Sequence, residues 1–288
     1  MSHQDFSHSV LILFGHGTQL NAESRAPVYQ HAAELRKQHL FARVREGFWK
    51  QDPQLTTVLE EELSLVEPGG PSSGIFLAPL FISEGYFSEN VIPEALGFMR
   101  EQGPLSRHQK HGSHDLFYCK PVGTHESMTG VLLARARDVV LKFPFPRAPR
   151  TKDITLFIAG HGTEQDQNSR AAIERQAELI RAMNIYADVQ AVYLDEEPHI
   201  PELYKLSNTK NVVVVPFFIS DGLHVREDIP VLLGEPKRIV QARLAQGQPT
   251  WRNPTEKQGK LVWYSPSVGT EASIVNVILE RVREAAKL

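Results

Sequence analysis

The sequence predicts an α/β protein made of two similar halves, each with a parallel sheet covered by helices. Three observations support this prediction: segments that recur in order, short apolar runs that end at turn signals, and helical patterns between those runs. The recurring segments are Gly15-His16-Gly17-Thr18 with Gly160-His161-Gly162-Thr163, Asp52-Pro53 with Glu197-Pro198, residues 79–85 with 216–222, and Val122-Gly123-Thr124 with Val268-Gly269-Thr270. Four recurring blocks in the same order indicate a duplicated domain.

Each half contains four apolar runs that we interpret as strands. Short continuous apolar runs are typical of strands buried on both faces of a parallel sheet. The predicted strands are Val10–Phe14, Val44–Phe48, Ile75–Phe81 and Leu116–Tyr118, and then Ile154–Ala159, Val189–Leu194, Val212–Ile219 and Leu261–Tyr264. Alternation with helices favours parallel strands, because each crossover must pack a helix back on the sheet.

The helical patterns complete each half. The first begins near Ser24 and carries Pro27 in its first turn, where proline is tolerated. Each half ends with a long helical pattern, Glu126–Leu141 and Glu271–Ala286. We expect the repeats to span residues 1–143 and 153–288, joined by a proline-rich linker over 144–152, since proline cannot continue a helix.

Composition excludes several classes of protein. A length of 288 residues suits two domains, and a net charge of −3 gives no basic field for nucleic acid or an acidic membrane. Cys119 is the only cysteine, which excludes an intrachain disulfide and a thiolate-rich metal site. Residues 1–10 contain no apolar core of signal-peptide length, and no apolar run approaches the length that spans a bilayer. We therefore expect a cytoplasmic protein without nucleic-acid or membrane partners, and the oligomeric state stays open.

Histidines follow the buried strands at positions suited to chemistry. His16 and His161 each come directly after a predicted strand and lie between glycines that allow a ligand to approach closely. His224 comes just after the strand over 212–219, whereas Phe87 occupies the matching position of the first half. Imidazole can act as a base or as a metal ligand near neutral pH. Because only the second half carries both histidines, the sequence predicts one site, in that half.

An acidic residue follows a third strand of the second half. Glu197 is the candidate that we favour, although it could instead be a favourable acid at a helix N-terminus, and Asp195 and Glu196 are close enough to compete for the role. Two imidazoles and one carboxylate form a nitrogen and oxygen ligand set suited to Co²⁺, Ni²⁺, Fe²⁺ or Zn²⁺.

Arginines near these strand ends are candidate anchors for ligand carboxylates. They are Arg25, Arg170 and Arg226, and guanidinium suits the role because it binds carboxylate through two parallel hydrogen bonds. An equally good alternative is that each arginine ties its loop to a neighbouring acidic group. A further histidine-rich patch, made of His108, His111 and His114, is predicted to be a solvated polar loop.

These motifs resemble those of the sirohydrochlorin chelatases of the cobalt-chelatase type, which belong with the ferrochelatase-like class II chelatases. The resemblance rests on a strand ending in Gly-His-Gly-Thr, an acidic-Pro element, residues 222–230 (Gly-Leu-His-Val-Arg-Glu-Asp-Ile-Pro) and a late Val-Gly-Thr. It implies two Rossmann-like domains and ATP-independent insertion of Co²⁺, Fe²⁺ or Ni²⁺ into a tetrapyrrole held in a cleft. The metal is then a substrate, and no organic cofactor is expected.

The resemblance also implies roles for single residues. His161, His224 and Glu197 correspond to the catalytic and metal-binding residues. With a tetrapyrrole as substrate, His16 and the candidate anchors Arg25, Arg170 and Arg226 are our own expected contacts to it. Phe87 departs from the pattern, which makes a second site in the first half doubtful.

Two other functions were weighed. One is a non-catalytic protein that binds a metal or a tetrapyrrole on the same scaffold. The other is phosphoryl transfer through a phosphohistidine, which uses an arginine immediately before His-Gly. Gly15 and Gly160 occupy that place in this chain, which counts strongly against phosphoryl transfer.

Overall fold

A computed structural model describes residues 5–18, 22–65, 74–98, 104–162 and 167–288 of the chain. These residues form two compact units: one comprises Met1–His125 with Ala272–Leu288, and the other comprises Glu126–Glu271. No helix in the described ranges is long and apolar enough to cross a membrane.

The first unit is built on a five-stranded sheet in the order β2-β1-β3-β5-β4. Neighbouring strands are parallel except for β4, which pairs antiparallel with β5 at the edge. The strands are β1 (Val10–Gly15), β2 (Arg43–Phe48), β3 (Gly74–Pro79), β4 (His108–His111) and β5 (His114–Tyr118). Every residue of β1 is buried, as the continuous apolar run predicted.

The second unit repeats this topology with the strand order β7-β6-β8-β10-β9. Its strands are β6 (Ile154–Gly160), β7 (Asp188–Tyr193), β8 (Asn211–Pro216), β9 (Thr255–Lys257) and β10 (Lys260–Tyr264). The parallel α/β fold and the duplication expected from the sequence are therefore confirmed, and each predicted strand corresponds to an observed one.

Helices lie between the strands in both units, except between the antiparallel pairs β4–β5 and β9–β10. They are α1 (Ala26–Lys37), α2 (Leu55–Ser64), α3 (Ile92–Ala95), α4 (Met128–Lys142), α5 (Gln167–Ala182), α6 (Leu203–Leu206), α7 (Ile229–Leu232), α8 (Lys237–Ala245) and α9 (Ile274–Ala285). A five-residue π-helical turn precedes α3 and another precedes α7, at Phe87–Val91 and His224–Asp228. Such turns are rare in proteins overall, but those that occur are frequently found at functional sites.

The last helix of each repeat packs in the unit formed mainly by the other repeat. Helix α4 lies against β8 and β10, and α9 lies against β3. Arg135 of α4 donates to Ser267 O, and Arg281 of α9 donates to Pro121 O, both over 2.9 Å. The compact units thus differ from the repeat boundaries at 143 and 153, because both sheets offer an equivalent face and the duplicated sequence alone does not choose between them.

The prediction of a polar loop containing three histidines is wrong. His108 and His111 lie in β4 and His114 lies in β5, and a two-residue turn with Gly112 at φ +59° joins these strands. The ring of His108 stacks on Phe117, with centroids 4.7 Å apart. The strand is too short and too polar to show an apolar alternation, so the turn was the only signal in the sequence.

Candidate active site

His161 lies at the carboxyl end of β6, in a turn that glycine makes possible. Gly162 has a φ of +64°, and a Cβ built there would lie 2.6 Å from Cγ of Glu196. Glycine is therefore required both for the backbone conformation and for the close approach of the acidic segment after β7. The turn leaves 37% of the His161 side chain exposed.

His224 begins the π-helical turn that follows β8. Strands β6 and β8 are hydrogen-bonded neighbours, so their carboxyl ends lie side by side. The rings of His161 and His224 meet edge to face, with centroids 4.9 Å apart and planes at 89°. The structure thus brings together two histidines that are 63 positions apart in the chain, counted from 161 to 224.

Each of these imidazoles has a carboxylate at its Nδ1 atom. His224 Nδ1 is hydrogen-bonded to Asp228 Oδ2 over 2.7 Å, whereas His161 Nδ1 is hydrogen-bonded to Gly162 O over 3.4 Å and also lies 3.2 Å from Asp195 Oδ2. A carboxylate at one ring nitrogen of a metal-binding histidine fixes the tautomer and directs the other nitrogen to the metal. The geometry therefore prepares Nε2 of both rings as electron-pair donors.

The three acidic residues 195–197 make different contacts. Asp195 contacts His161, whereas Glu196 accepts a hydrogen bond from Arg170 over 3.1 Å. Glu197, the residue favoured from the sequence, is exposed, and its backbone carbonyl accepts from the same guanidinium over 3.2 Å. The member of this segment that lies beside a histidine is thus Asp195, one of the two alternatives to Glu197.

The donor set at the site is small. Across the described ranges, no group of three or more His, Cys, Asp or Glu side chains could hold a metal ion. Two imidazoles leave most of the coordination sphere of a divalent ion to water or to ligand nitrogens. This suits transient holding of an ion better than permanent binding, because structural metal sites close their coordination shell with protein ligands.

The three candidate arginines have different surroundings. The guanidinium of Arg170 lies 5.0 Å from the Tyr193 ring centroid and forms an ion pair with Glu196. These contacts fit the alternative in which the arginine ties its segment to a neighbouring acidic group. Arg25 is exposed just before α1, and its carbonyl accepts from Val28 N. Arg226 is half-buried in the π-helical turn and lines a cavity of about 430 Å³ with Trp251 and Tyr264.

The first unit contains a matching aromatic pair with different chemistry. His16 and Phe87 also meet edge to face, with centroids 5.0 Å apart and planes at 84°. Lys50, which the repeat aligns with Asp195, lies with Nζ 5.0 Å from the Phe87 ring centroid. Burial and, to a smaller extent, the charge of Lys50 lower the pKa of His16, against an opposing hydrogen bond with Gly17 O. This unit therefore pairs an imidazole of lowered pKa with a lysine ammonium near the partner ring.

The recurring Val-Gly-Thr segments support the loops that carry these rings. A Cβ on Gly269 would lie 2.0 Å from Ile219 O, and one on Gly123 would lie 1.9 Å from Ile82 O. Gly269 N also donates to Phe218 O over 2.9 Å. Glycine is required here because the turn presses directly on the backbone that leads to the π-helical turn.

Two features of the site were missed by sequence reasoning. Asp228 was not considered, although its spacing of four residues from His224 is the one that places side chains on the same helical face. Lys50 was not considered either, although it aligns with Asp195 in the repeat. In both cases the signal was the comparison of the two copies at positions beside the recurring motifs.

Comparison with known proteins places these features in a family. The CbiX family model matches residues 10–139 and 155–285, once for each repeat. A curated relative from Halobacterium salinarum, named probable sirohydrochlorin cobaltochelatase, is 38% identical over 286 residues, covering 96% of this chain and 91% of the relative. A shorter relative from Methanopyrus kandleri, named sirohydrochlorin cobaltochelatase, is 26% identical over 140 residues, covering 46% of this chain and 96% of its own.

Solved structures share the fold. A multi-domain protein from Deinococcus radiodurans, described as similar in structure to chelatases, matches 97% of this chain with a TM-score of 0.73 and 27% identity. This chain spans 55% of the length of that protein. SirB from Bacillus subtilis, solved with Fe³⁺, matches 96% of this chain and 95% of its own length with a TM-score of 0.68 and 17% identity. The match of the family model to both repeats shows that this chain belongs to the CbiX family.

Proposed function

We propose that this protein is an ATP-independent sirohydrochlorin chelatase, which inserts Co²⁺ or Fe²⁺, with Ni²⁺ as a third candidate, in the synthesis of cobalamin or siroheme. The observation that carries the proposal is the pair of histidines 4.9 Å apart, each with a carboxylate at Nδ1. The family and the names of the curated relatives support the same substrate class.

In this proposal His161 and His224 hold the incoming divalent ion through Nε2. Imidazole nitrogen is a good ligand for Co²⁺, Fe²⁺ and Ni²⁺, and two protein donors leave positions free for the pyrrole nitrogens. The ion can then move to the macrocycle by exchanging one set of nitrogen ligands for another. No covalent intermediate and no nucleoside triphosphate are needed for this exchange.

Insertion also releases two pyrrole protons for each divalent ion. Once the ion has passed to the ring, the Nε2 atoms of His161 and His224 are available to accept them. The carboxylates of Asp195 and Asp228 would stabilise each imidazolium as an ion pair. We propose Asp195 as the acidic residue beside His161, and a role for Glu197 stays a prediction.

The structure supports a substrate contact for some of the remaining candidate residues and not for others. We propose Arg226 as an anchor for a carboxylate of the tetrapyrrole, because it lies in the wall of a cavity beside the π-helical turn. For Arg170 we favour the role of tying its loop to an acidic group. Its guanidinium donates to a side-chain oxygen of Glu196 and to the backbone carbonyl of Glu197. Contacts of His16 and Arg25 with the tetrapyrrole stay predictions.

The test is a spectral titration of the purified full chain with sirohydrochlorin and each of Co²⁺, Fe²⁺ and Ni²⁺. We expect turnover, seen as the metallated spectrum of many equivalents of substrate for each protein molecule. His161→Ala should lower the rate by roughly 10²–10⁴-fold, the usual contribution of a positioned acid–base group. Binding of sirohydrochlorin without turnover for any of the three metals would support the non-catalytic alternative and contradict the proposal.

A further inference from the structure

We infer that Asp228 is the positioning residue of the site: it holds the His224 ring with Nδ1–H toward itself and Nε2 toward the metal. The inference deepens the proposed function and rests on it. Asp228 Oδ2 lies 2.7 Å from His224 Nδ1, a short and well-formed contact. An ionised carboxylate only accepts hydrogen bonds, so the ring nitrogen that faces it must carry the hydrogen and the other keeps its electron pair.

The turn that carries both residues is held in place by buried groups. Ile229 N donates to His224 O, which closes the π-helical turn, and Ile229 itself is fully buried. Tyr264 Oη donates to Val225 O over 2.7 Å and fixes the middle of the turn. The ring and the carboxylate therefore sit one turn apart on a fixed backbone, which allows Asp228 to determine the orientation of the ring.

The first copy shows that the turn does not need this carboxylate. The alignment that pairs Phe87 with His224 also pairs Val91 with Asp228. Phe87–Val91 forms the same π-helical turn, closed by Ile92 N to Phe87 O, and Tyr118 Oη donates to Ser88 O over 2.8 Å as its support. The carboxylate is present in the copy that has an imidazole to orient and absent in the copy that has a phenyl ring.

This pattern separates a positioning role from a structural one. Val91 leaves the first turn without a carboxylate at this place, and the two turns have the same form, the first being held in addition by Ser88 Oγ, which accepts from Gly85 N over 2.9 Å. The carboxylate is also half-exposed, at 49%, so it is not needed to fill the core. Its described contact is with the ring that it faces.

The variants follow from the comparison. Asp228→Val installs the residue that the matching turn of the first copy carries. The matched control is Glu227→Gln, which removes a negative charge from the neighbouring position and from the same 280 Å³ cavity. Glu227 accepts from Gln241 Nε2 and does not contact the ring, and glutamine can keep that hydrogen bond.

Two measurements on the full chain test the inference. The tautomer of His224 in the metal-free protein, read from ¹⁵N NMR of the labelled imidazoles at pH 8, should be the Nδ1–H form in the wild type. It should shift toward the Nε2–H form in Asp228→Val. Affinity for Co²⁺ alone, measured by calorimetry, should fall by roughly 10–100-fold in Asp228→Val, the usual effect of removing such a partner, and stay unchanged in Glu227→Gln. Asp228→Glu should restore part of the affinity.

The outcomes distinguish this inference from the proposed function. An unchanged tautomer in Asp228→Val would overturn the inference, and so would unchanged Co²⁺ affinity while His224→Ala loses it. If His224→Ala kept full Co²⁺ affinity, the proposed metal site would be wrong. The NMR measurement of the tautomer would still show whether Asp228 orients the His224 ring. Circular dichroism should show equal folding for all variants, as the first copy predicts.

Discussion

The two copies of the repeat hold an aromatic pair in nearly the same geometry. His16 and Phe87 lie 5.0 Å apart with planes at 84°, and His161 and His224 lie 4.9 Å apart with planes at 89°. The scaffold that sets this geometry is also shared, with a strand end, a π-helical turn and a Val-Gly-Thr turn in each unit. The geometry of the pair therefore does not distinguish the two copies.

The copies differ at one member of that pair and at two positions beside it. Where the second unit has Asp195, His224 and Asp228, the repeat places Lys50, Phe87 and Val91 in the first. The changes act in the same direction: one removes a donor, one removes the group that orients it, and one replaces a negative charge with a positive one. Under the proposed function, these differences would make the first copy less favourable for a cation than the second.

The largest effect should come from making the second copy resemble the first. His224→Phe keeps an aromatic ring in the edge-to-face pair and removes one imidazole donor. We expect the metal insertion rate to fall by roughly 10²–10⁴-fold, with the fold intact by circular dichroism. His16→Ala is the control, and it should keep a substantial fraction of the rate. Equal and severe losses in both variants would mean that both copies act on the metal.

The reverse exchange should create a second site. The triple variant Lys50→Asp, Phe87→His and Val91→Asp gives the first copy the donors and carboxylates of the second. We expect calorimetry with Co²⁺ to show an additional binding event per chain, removed again by His16→Ala. An unchanged stoichiometry in the folded variant would show that these three positions are not sufficient to make the site.

The glycines of the Val-Gly-Thr turns offer a test of the shared scaffold. Gly123→Ala and Gly269→Ala each place a methyl group about 2 Å from a carbonyl oxygen, so the turn or the loop must move. Overpacking of this kind costs roughly 1–3 kcal/mol, measurable by urea denaturation. Both variants should lose similar stability, but only Gly269→Ala should weaken Co²⁺ binding. Weakening by Gly123→Ala to the same degree would contradict a single metal site in the second copy.

The smallest effect concerns the titration of His16. Burial first, and Lys50 to a smaller extent, lower its pKa, so Lys50→Ala should raise the pKa only part of the way to its ordinary value. A folded pKa below the unfolded one means that the unfolded chain binds more protons in the window between them. The contribution of His16 to stability therefore falls as the pH drops through that window, and by less in Lys50→Ala. NMR titration of the ring measures the shift, and no rise in the variant would exclude the influence of Lys50.

Much of the fold and part of the site could be predicted from the sequence because their signals are local. Continuous apolar runs such as Val10–Phe14 predict buried strands without any knowledge of the tertiary structure. The recurring Gly-His-Gly-Thr then marks equivalent strand ends in the two copies. The parallel topology then places His161 and His224 at neighbouring strand ends, so their proximity follows from strand order. Edge strands such as His108–His111 carry no such signal, since a short polar strand looks like a loop.

Which carboxylate faces each ring was decided only by the tertiary structure. Asp195, Glu196 and Glu197 are adjacent in sequence, and their different tasks depend on which way each side chain leaves a tight turn beside Gly162 and Arg170. The exchange of α4 and α9 between the units was likewise beyond the sequence, because both sheets present equivalent faces to two similar helices. Sequence determined the repeated strands and the histidines that end them, because periodicity and chain order are local properties. Packing decided the partners of those histidines, because contacts between distant segments depend on three-dimensional fit.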